Sequence, residues 1–212
     1  LMSVYIKENP TFLKDAIESV QNQTLKPSEL VLVEDGPLTP ELYQVLDQLE
    51  AESDIPVKRY PLEQNQGLGL ALRQGVLQCQ YDIIARMDTD DIAVPDRFEK
   101  QVQLMEKDKL DLLGGHIAEF IDNPDEIVSY RRVPTQHADI VAYQRMRSAF
   151  NHMTVMFQKD MVLKAGNYED GLYMEDDLLW LNMIAAGAKT GNLDQILCQV
   201  RVGAGMFERR GG

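Results

Sequence analysis

Residues Leu30-Val31-Leu32-Val33 form an apolar run with no polar break, ending abruptly at Glu34-Asp35-Gly36-Pro37. Successive strand residues point to opposite faces, so a strand with one wet face alternates apolar and polar residues. Four apolar residues in a row need cover on both faces. Such a strand belongs in the middle of a sheet flanked by helices, and the acidic Gly-Pro turn marks where it stops. The neighbouring sequence fits this frame. After Pro10, Phe12, Leu13, Ala16, Ile17 and Val20 recur at helical spacing. Thr39-Pro40 supplies a cap and a first-turn proline to a helix carrying Leu42, Val45, Leu46 and Leu49. Val57 to Leu62 reads as strand and residues 68–79 as helix. Ile83-Ile84-Ala85-Arg86-Met87 reads as a strand running straight into Asp88-Thr89-Asp90-Asp91, with a helix from Pro95 to about Lys107 beyond it.

The second half is less regular. Leu110 to Ile121 is strand-like, residues 134–149 are expected to be helical, and Met153 to Gln158 returns as strand. Tyr173 to Asp177 leads into an amphipathic helix ending near Gly187, Gln195 to Val202 is a last strand, and Phe207 to Gly212 is a polar tail. No repeat or linker interrupts the 212 residues, so the expectation is a single α/β domain over 1–212. Its sheet is expected to be mostly parallel, with helices on both faces. The stub Met2 to Ile6 reads as the end of a first strand, and Leu1 before Met2 suggests an excised piece of something longer.

Charge and composition narrow the function. Lys plus Arg number 21 against 34 Asp plus Glu, a net −13, the opposite of what grips duplex nucleic acid. An anionic substrate then needs local arginines or a bound cation to reverse the field. No run approaches the roughly 20 apolar residues that span a bilayer. Lys7, Glu8 and Pro10 leave no signal-peptide core at the start. Cys79 and Cys198 lie in apolar patterns and read as buried reduced thiols, which points to a reducing cytoplasm.

Three acidic clusters follow apolar or helical boundaries: Glu34-Asp35, Asp88-Thr89-Asp90-Asp91 and Glu175-Asp176-Asp177. Ligands of open α/β sheets gather outside the carboxyl ends of the strands, so the first two can share one cleft. Glu175 to Asp177 also suits an ordinary helix start. Carboxylates crowded at a buried strand end repel one another unless a cation or partner neutralises them. Asp88-x-Asp90 therefore suits a divalent ion. Mg²⁺ or Mn²⁺ takes oxygen ligands and commonly keeps phosphate oxygens in its shell, which points to a diphosphate substrate.

Four segments together resemble family 2 glycosyltransferases, inverting enzymes of the GT-A fold that use nucleotide-diphosphate sugars. They are Val31 to Gly36, Asn65-Gln66-Gly67-Leu68-Gly69-Leu70-Ala71-Leu72-Arg73, Arg86 to Asp91, and Glu175 to Trp180, in the family's order. Ser19 to Thr24 resembles that family's first-helix ending. The resemblance implies that Asp35 meets the nucleotide base with Tyr5 near the base or ribose, that Arg73 approaches the base or diphosphate, and that Asp88 touches ribose or sugar. It implies Asp90 as ligand of Mn²⁺ or Mg²⁺, Asp176 as catalytic base, and Glu175, Asp177 and His152 on the acceptor side. The implied partners are a UDP-sugar by default and a glycan or lipid-linked acceptor in cell-surface polysaccharide biosynthesis. The implied location is cytoplasmic, with peripheral contact at the inner face of the membrane. Family members carry more apolar residues before the position of Met2, and many continue past that of Gly212. Glu34 in place of the usual Asp, and Pro37 in place of a serine, depart from the pattern.

Plainer readings stand beside these. His152 suits a structural hydrogen bond as well as a ligand contact, and His116 and His137 show no metal-ligand spacing. Trp180 reads as core, and Arg209-Arg210 as either a lid over the diphosphate or a disordered tail. Gly67-x-Gly69 lacks the third glycine of a dinucleotide fingerprint. The rival enzyme is a metal-dependent phosphohydrolase with an aspartyl nucleophile from Asp88-x-Asp90 and Glu175-Asp176-Asp177 as metal ligands, which would need further Ser or Thr and Lys motifs. A nucleotidyltransferase would need a basic Gly-rich N-terminal loop. The non-enzyme rival is a nucleotide-sugar-binding domain without turnover.

Overall fold

The computed structural model describes residues 1–170 and 174–203. In chain order its elements are β1 (Met2–Val4), α1 (Pro10–Gln21), β2 (Leu30–Glu34), α2 (Pro40–Glu52), β3 (Val57–Pro61), α3 (Leu68–Gln78), β4 (Ile83–Ala85) and β5 (Ile92–Ala93). There follow α4 (Arg97–Asp108), β6 (Leu112–Phe120), β7 (Ile127–Arg131), α5 (His137–Tyr143), a 3₁₀ turn (His152–Thr154), β8 (Met156–Gln158), α6 (Lys159–Lys164), α7 (Glu175–Ala185) and β9 (Thr190–Arg201).

Strands β1, β2 and β3 lie side by side and parallel, with all five residues of β2 buried. The apolar run is explained by what covers each face. Leu30 and Leu32 join a core with Leu13, Ile17, Leu42 and Leu46, whereas Val31 and Val33 join a second core with Leu72, Val76, Phe157 and Trp180. Met87 N donates to Leu1 O at 3.1 Å, linking the segment after β4 to the start of the first three strands. The remaining strands run β4-β8-β6-β9-β5, with β7 on the flank of β6.

The expected parallel order holds for β1 to β3 and for β6 with β9. The other C-terminal pairs, β4–β8, β6–β8, β5–β9 and β6–β7, are antiparallel. Antiparallel pairing tolerates a wet face, and β7 is accordingly exposed along most of its length. Both β7 and α6 escaped the sequence reading, being short and without a continuous apolar run. The helix expected over 134–149 shrinks to α5. Gln144 ends it by accepting from Ala149 N at 2.8 Å, which turns the chain back on itself. The last strand starts at Thr190, five residues before the expected Gln195.

Cys79 and Cys198 are free and buried, and burial pushes the Cys198 thiol up to about 12. No helix among the described residues is long and apolar enough to cross a membrane. Tyr173 and the segment 207–212, with Arg209 and Arg210, lie outside the described residues.

Candidate active site

The carboxyl ends of β1 and β2 form one wall. Asp35 N donates to Val4 O at 2.8 Å, so the residues leaving the two strands, Tyr5 and Asp35, are neighbours at one edge. The Asp35 carboxylate is buried and anchors the loop before α3. It accepts from Gln66 N at 2.7 Å, Asn65 Nδ2 at 2.9 Å and Gly67 N at 3.0 Å. Three of about four lone-pair positions are thus occupied, leaving one open to a ligand. Gly36 makes this approach possible: its φ is +85°, and a Cβ there would lie 2.5 Å from Asn65 N. Glu34 does different work. Its buried carboxylate pairs with Arg59 Nε at 2.5 Å, and the same guanidinium holds Asp47 at 2.6 Å.

The segment after β4 forms the floor. Arg86 is 1% exposed, and its Nη2 donates to Asp88 Oδ1 in a charge-assisted hydrogen bond. Its Nε and Nη1 are buried with no hydrogen-bond partner among the described residues. Buried donors of this kind ordinarily find a partner, a water or ligand included. Asp91 is buried, accepts from Arg201 N at 3.0 Å, and has a pKa raised well above the carboxylate range. Burial is the main cause, followed by the charges of Asp88 and Asp90. Thr89, between them, turns its hydroxyl to Ser3 O at 3.4 Å.

The N-terminus of α7 faces this floor. Gly69 lies so close that a Cβ there would be 2.7 Å from Glu169 O and 2.9 Å from Glu175 Cβ, which brings the first turns of α3 and α7 together. Asp176 is 22% exposed, and its pKa is pushed up to about 6. Burial dominates, Asp177 and Glu175 add repulsion, and the Asp177 N–H and the Arg86 charge pull the other way. His152 Nδ1 stands 4.0 Å from Asp176 Oδ2, and its Nε2 is 2.9 Å from the Tyr168 hydroxyl. Burial, with the Arg86 charge, lowers the His152 pKa well below its usual value, so the ring is neutral near pH 7. Trp180 packs edge-on beneath it at 5.8 Å between centroids and belongs to the core, as its spacing predicted.

The expected site residues thus divide. Asp88, Asp176 and His152 converge on Arg86, whose charge acts on each of them. Glu175 sits against Gly69, and Asp177 Oδ1 accepts from Gln144 Nε2 at 2.6 Å. Arg73 Nη1 donates to Tyr168 O at 3.0 Å. Arg86 stood inside a recognised motif without a role. Its spacing of two from Asp88 was a usable signal, because alternate residues in extended chain share a side. Tyr168 and Gln144 had no local signal, since both act through residues distant in sequence.

A divalent ion fits the floor by donor chemistry. Asp88 and Asp90 offer hard carboxylate oxygens, and the repulsion that raises Asp91 is what a cation would relieve. Among the described residues no group of three His, Cys, Asp or Glu side chains could hold a metal, so phosphate or water oxygens would have to complete the shell.

Comparisons with known proteins address the family and the fold. The chain is 49% identical over its whole length to an uncharacterized glycosyltransferase of Haemophilus influenzae, covering 78% of that protein. It is 37% identical, again over its whole length and 76% of the relative, to the UDP-Gal:alpha-D-GlcNAc-diphosphoundecaprenol beta-1,3-galactosyltransferase of Escherichia coli. Among solved structures, the mannosyltransferase PcManGT of Pyrobaculum calidifontis, in complex with GDP-Man and Mn²⁺, superposes with a TM-score of 0.72 at 13% identity. That alignment covers 96% of this chain and 56% of the other. The likeness gives the fold, which is GT-A. The family model for glycosyl transferase family 2 matches residues 1–166, and with whole-length relatives at such identities the chain belongs to that family.

Proposed function

We propose that this protein is an inverting transferase that moves a sugar from a nucleotide-diphosphate donor, UDP-sugar by default, to a hydroxyl of a glycan or lipid-linked acceptor. The observation that carries the reading is Asp176. It is a mostly buried carboxylate with a pKa near 6, on a helix start beside the Asp88 to Asp91 segment. A base poised just below neutral pH is ionised when needed and still basic enough to take a proton.

Each residue then has a task. Asp176 takes the acceptor hydroxyl's proton on the face opposite the leaving diphosphate. The neutral imidazole of His152, held by Tyr168, stands 4.0 Å from the Asp176 carboxylate on the acceptor side. Arg73, anchored through Nη1 on Tyr168 O, approaches the base or diphosphate of the donor. Asp35 fixes the Asn65–Gly67 loop and offers its remaining lone pair to a base N–H, with Tyr5 beside it. Asp88, steadied by Arg86, accepts from ribose or sugar hydroxyls. Asp90 would hold Mn²⁺ or Mg²⁺, with Asp88 nearby. When bound, such an ion supplies Lewis-acid stabilisation of the charge that develops on the departing diphosphate. Glu175 and Asp177 border the acceptor, and in-line positioning of acceptor and donor supplies a large share of the rate.

The acceptor reading draws on the named Escherichia coli relative and assigns this chain to cell-surface glycan assembly at the inner face of the membrane. Calorimetric titration of UDP, GDP and dTDP, each with and without Mn²⁺, tests the donor side. One nucleotide should bind only with the ion, lose that binding in Asp90→Ala and keep it in Asp176→Asn. A protein that binds none of the three under either condition would refute the transferase reading.

A further inference from the structure

The described arginines fall into two groups. Arg59, Arg73, Arg86, Arg97 and Arg201 each donate to a carboxylate, carbonyl or buried side chain. Arg131, Arg132, Arg145 and Arg147 lie within 17 residues of one another and are exposed. No ion pair to any of these four occurs among the described residues. In a chain of net charge −13, a local group of cations without acidic partners makes a positive patch.

Three of them line a groove of about 530 Å³ with Tyr130, Tyr143 and Ser148. The groove is firmly built. Asn192 of β9 ties both of its walls, donating through Nδ2 to Pro134 O at 2.7 Å and to Ala149 O at 3.0 Å. Its own N–H donates to Thr135 O at 3.1 Å. The groove is also joined to the candidate base. Gln144, next to Tyr143, is 5% exposed and bridges Ala149 N to the Asp177 carboxylate beside Asp176. Arg147 is three residues from Gln144, at most about 11 Å along the chain.

Guanidinium forks match phosphate oxygens in pairs, and tyrosine hydroxyls add neutral donors. We propose that Arg131, Arg132 and Arg147 form an anion site for the phosphate or diphosphate group of the acceptor, which aligns the acceptor hydroxyl with Asp176. This inference rests on the transferase reading for its purpose, while the anion site itself can be measured independently.

The test titrates inorganic pyrophosphate into the whole protein in metal-free buffer, with and without UDP. Saturable binding should appear that added salt weakens and UDP leaves unchanged. It should fall by about tenfold or more in the triple variant Arg131→Gln, Arg132→Gln, Arg147→Gln. Thermal melting of that variant should match the parent, since the three side chains are exposed. Equal pyrophosphate binding by parent and variant, no binding by the parent, or displacement by UDP would each overturn the proposal. A parallel flotation assay uses phosphatidylcholine vesicles with and without phosphatidylglycerol. Arginine-dependent capture by the anionic vesicles without pyrophosphate binding would make the patch a bilayer contact and overturn the acceptor site. Failure of UDP to bind with Mn²⁺ strikes the transferase reading alone, because the metal-free titration reads the groove directly.

Discussion

At the scale of single residues, Asp176 is pulled in two directions. Its place at the start of α7 favours the ionised carboxylate, as does the Asp177 N–H, yet burial and two neighbouring carboxylates prevail and set the pKa near 6. With Asp176 as base, kcat/KM should rise with pH along an acid limb centred near 6 in the free enzyme, measured as a pH–rate profile. The same shift affects stability. The folded value lies above the ordinary 3.8, so the folded state holds this proton over pH 4–6 and loses stability as pH rises through that window. Asp176→Asn removes the penalty. It should lower turnover by about 10²–10⁴-fold. It should also stabilise the fold at pH 7.5 by about 1–3 kcal/mol, visible as a higher Tm than the parent's. A variant equally active, or less stable at that pH, contradicts the assignment.

At the scale of elements, the site depends on how closely α3 and α7 meet. Gly69 permits that contact, and a methyl group there must displace the backbone oxygen of Glu169 or the side chain of Glu175. Gly69→Ala should therefore cost about 1–3 kcal/mol, since overpacking of this kind shifts backbone. For a chain of this size each kcal/mol lowers Tm by about 2–4 °C. Because the displaced turn carries Asp176, turnover should fall more than nucleotide affinity, a split that steady-state kinetics and calorimetry resolve. Equal losses in both would place Gly69 in the donor pocket instead. The Asp35 loop follows similar logic: Gly36 and the Asn65–Gly67 segment form one unit, so the two motifs that look separate in sequence are halves of a single clamp.

At the scale of the whole molecule, two apolar cores on either side of the sheet hold the fold, and no described cluster of side chains requires a metal to complete it. Chelation should therefore abolish transfer while leaving the circular dichroism melt of the free protein unchanged. Mn²⁺ added with the preferred nucleoside diphosphate should raise Tm, and either alone should raise it far less, because the proposed donor site takes the two jointly and a ligand of the folded state stabilises it. A melt that collapses on chelation would make the ion structural and remove the argument from Asp88 and Asp90.

The sequence by itself determined the layering and the identity of the acidic clusters. An unbroken apolar strand can be satisfied only between two covered faces, and both cores of β2 follow from that local rule. The acidic clusters at residues 88–91 and 175–177 were legible because strand ends and helix starts are local features, and because four motifs recur in a familiar order. Tertiary structure alone decided the partners. It paired Glu34 with Arg59, turned Arg73 toward Tyr168, placed Arg86 among Asp88, His152 and Asp176, and joined Gln144 to Asp177. It also gathered three arginines around a groove, Arg131 and Arg132 at the end of β7 and Arg147 from the turn after α5. Such pairings depend on which distant segments the crossovers bring together, and burial then sets their charge states. Neither quantity is carried by residue spacing along the chain.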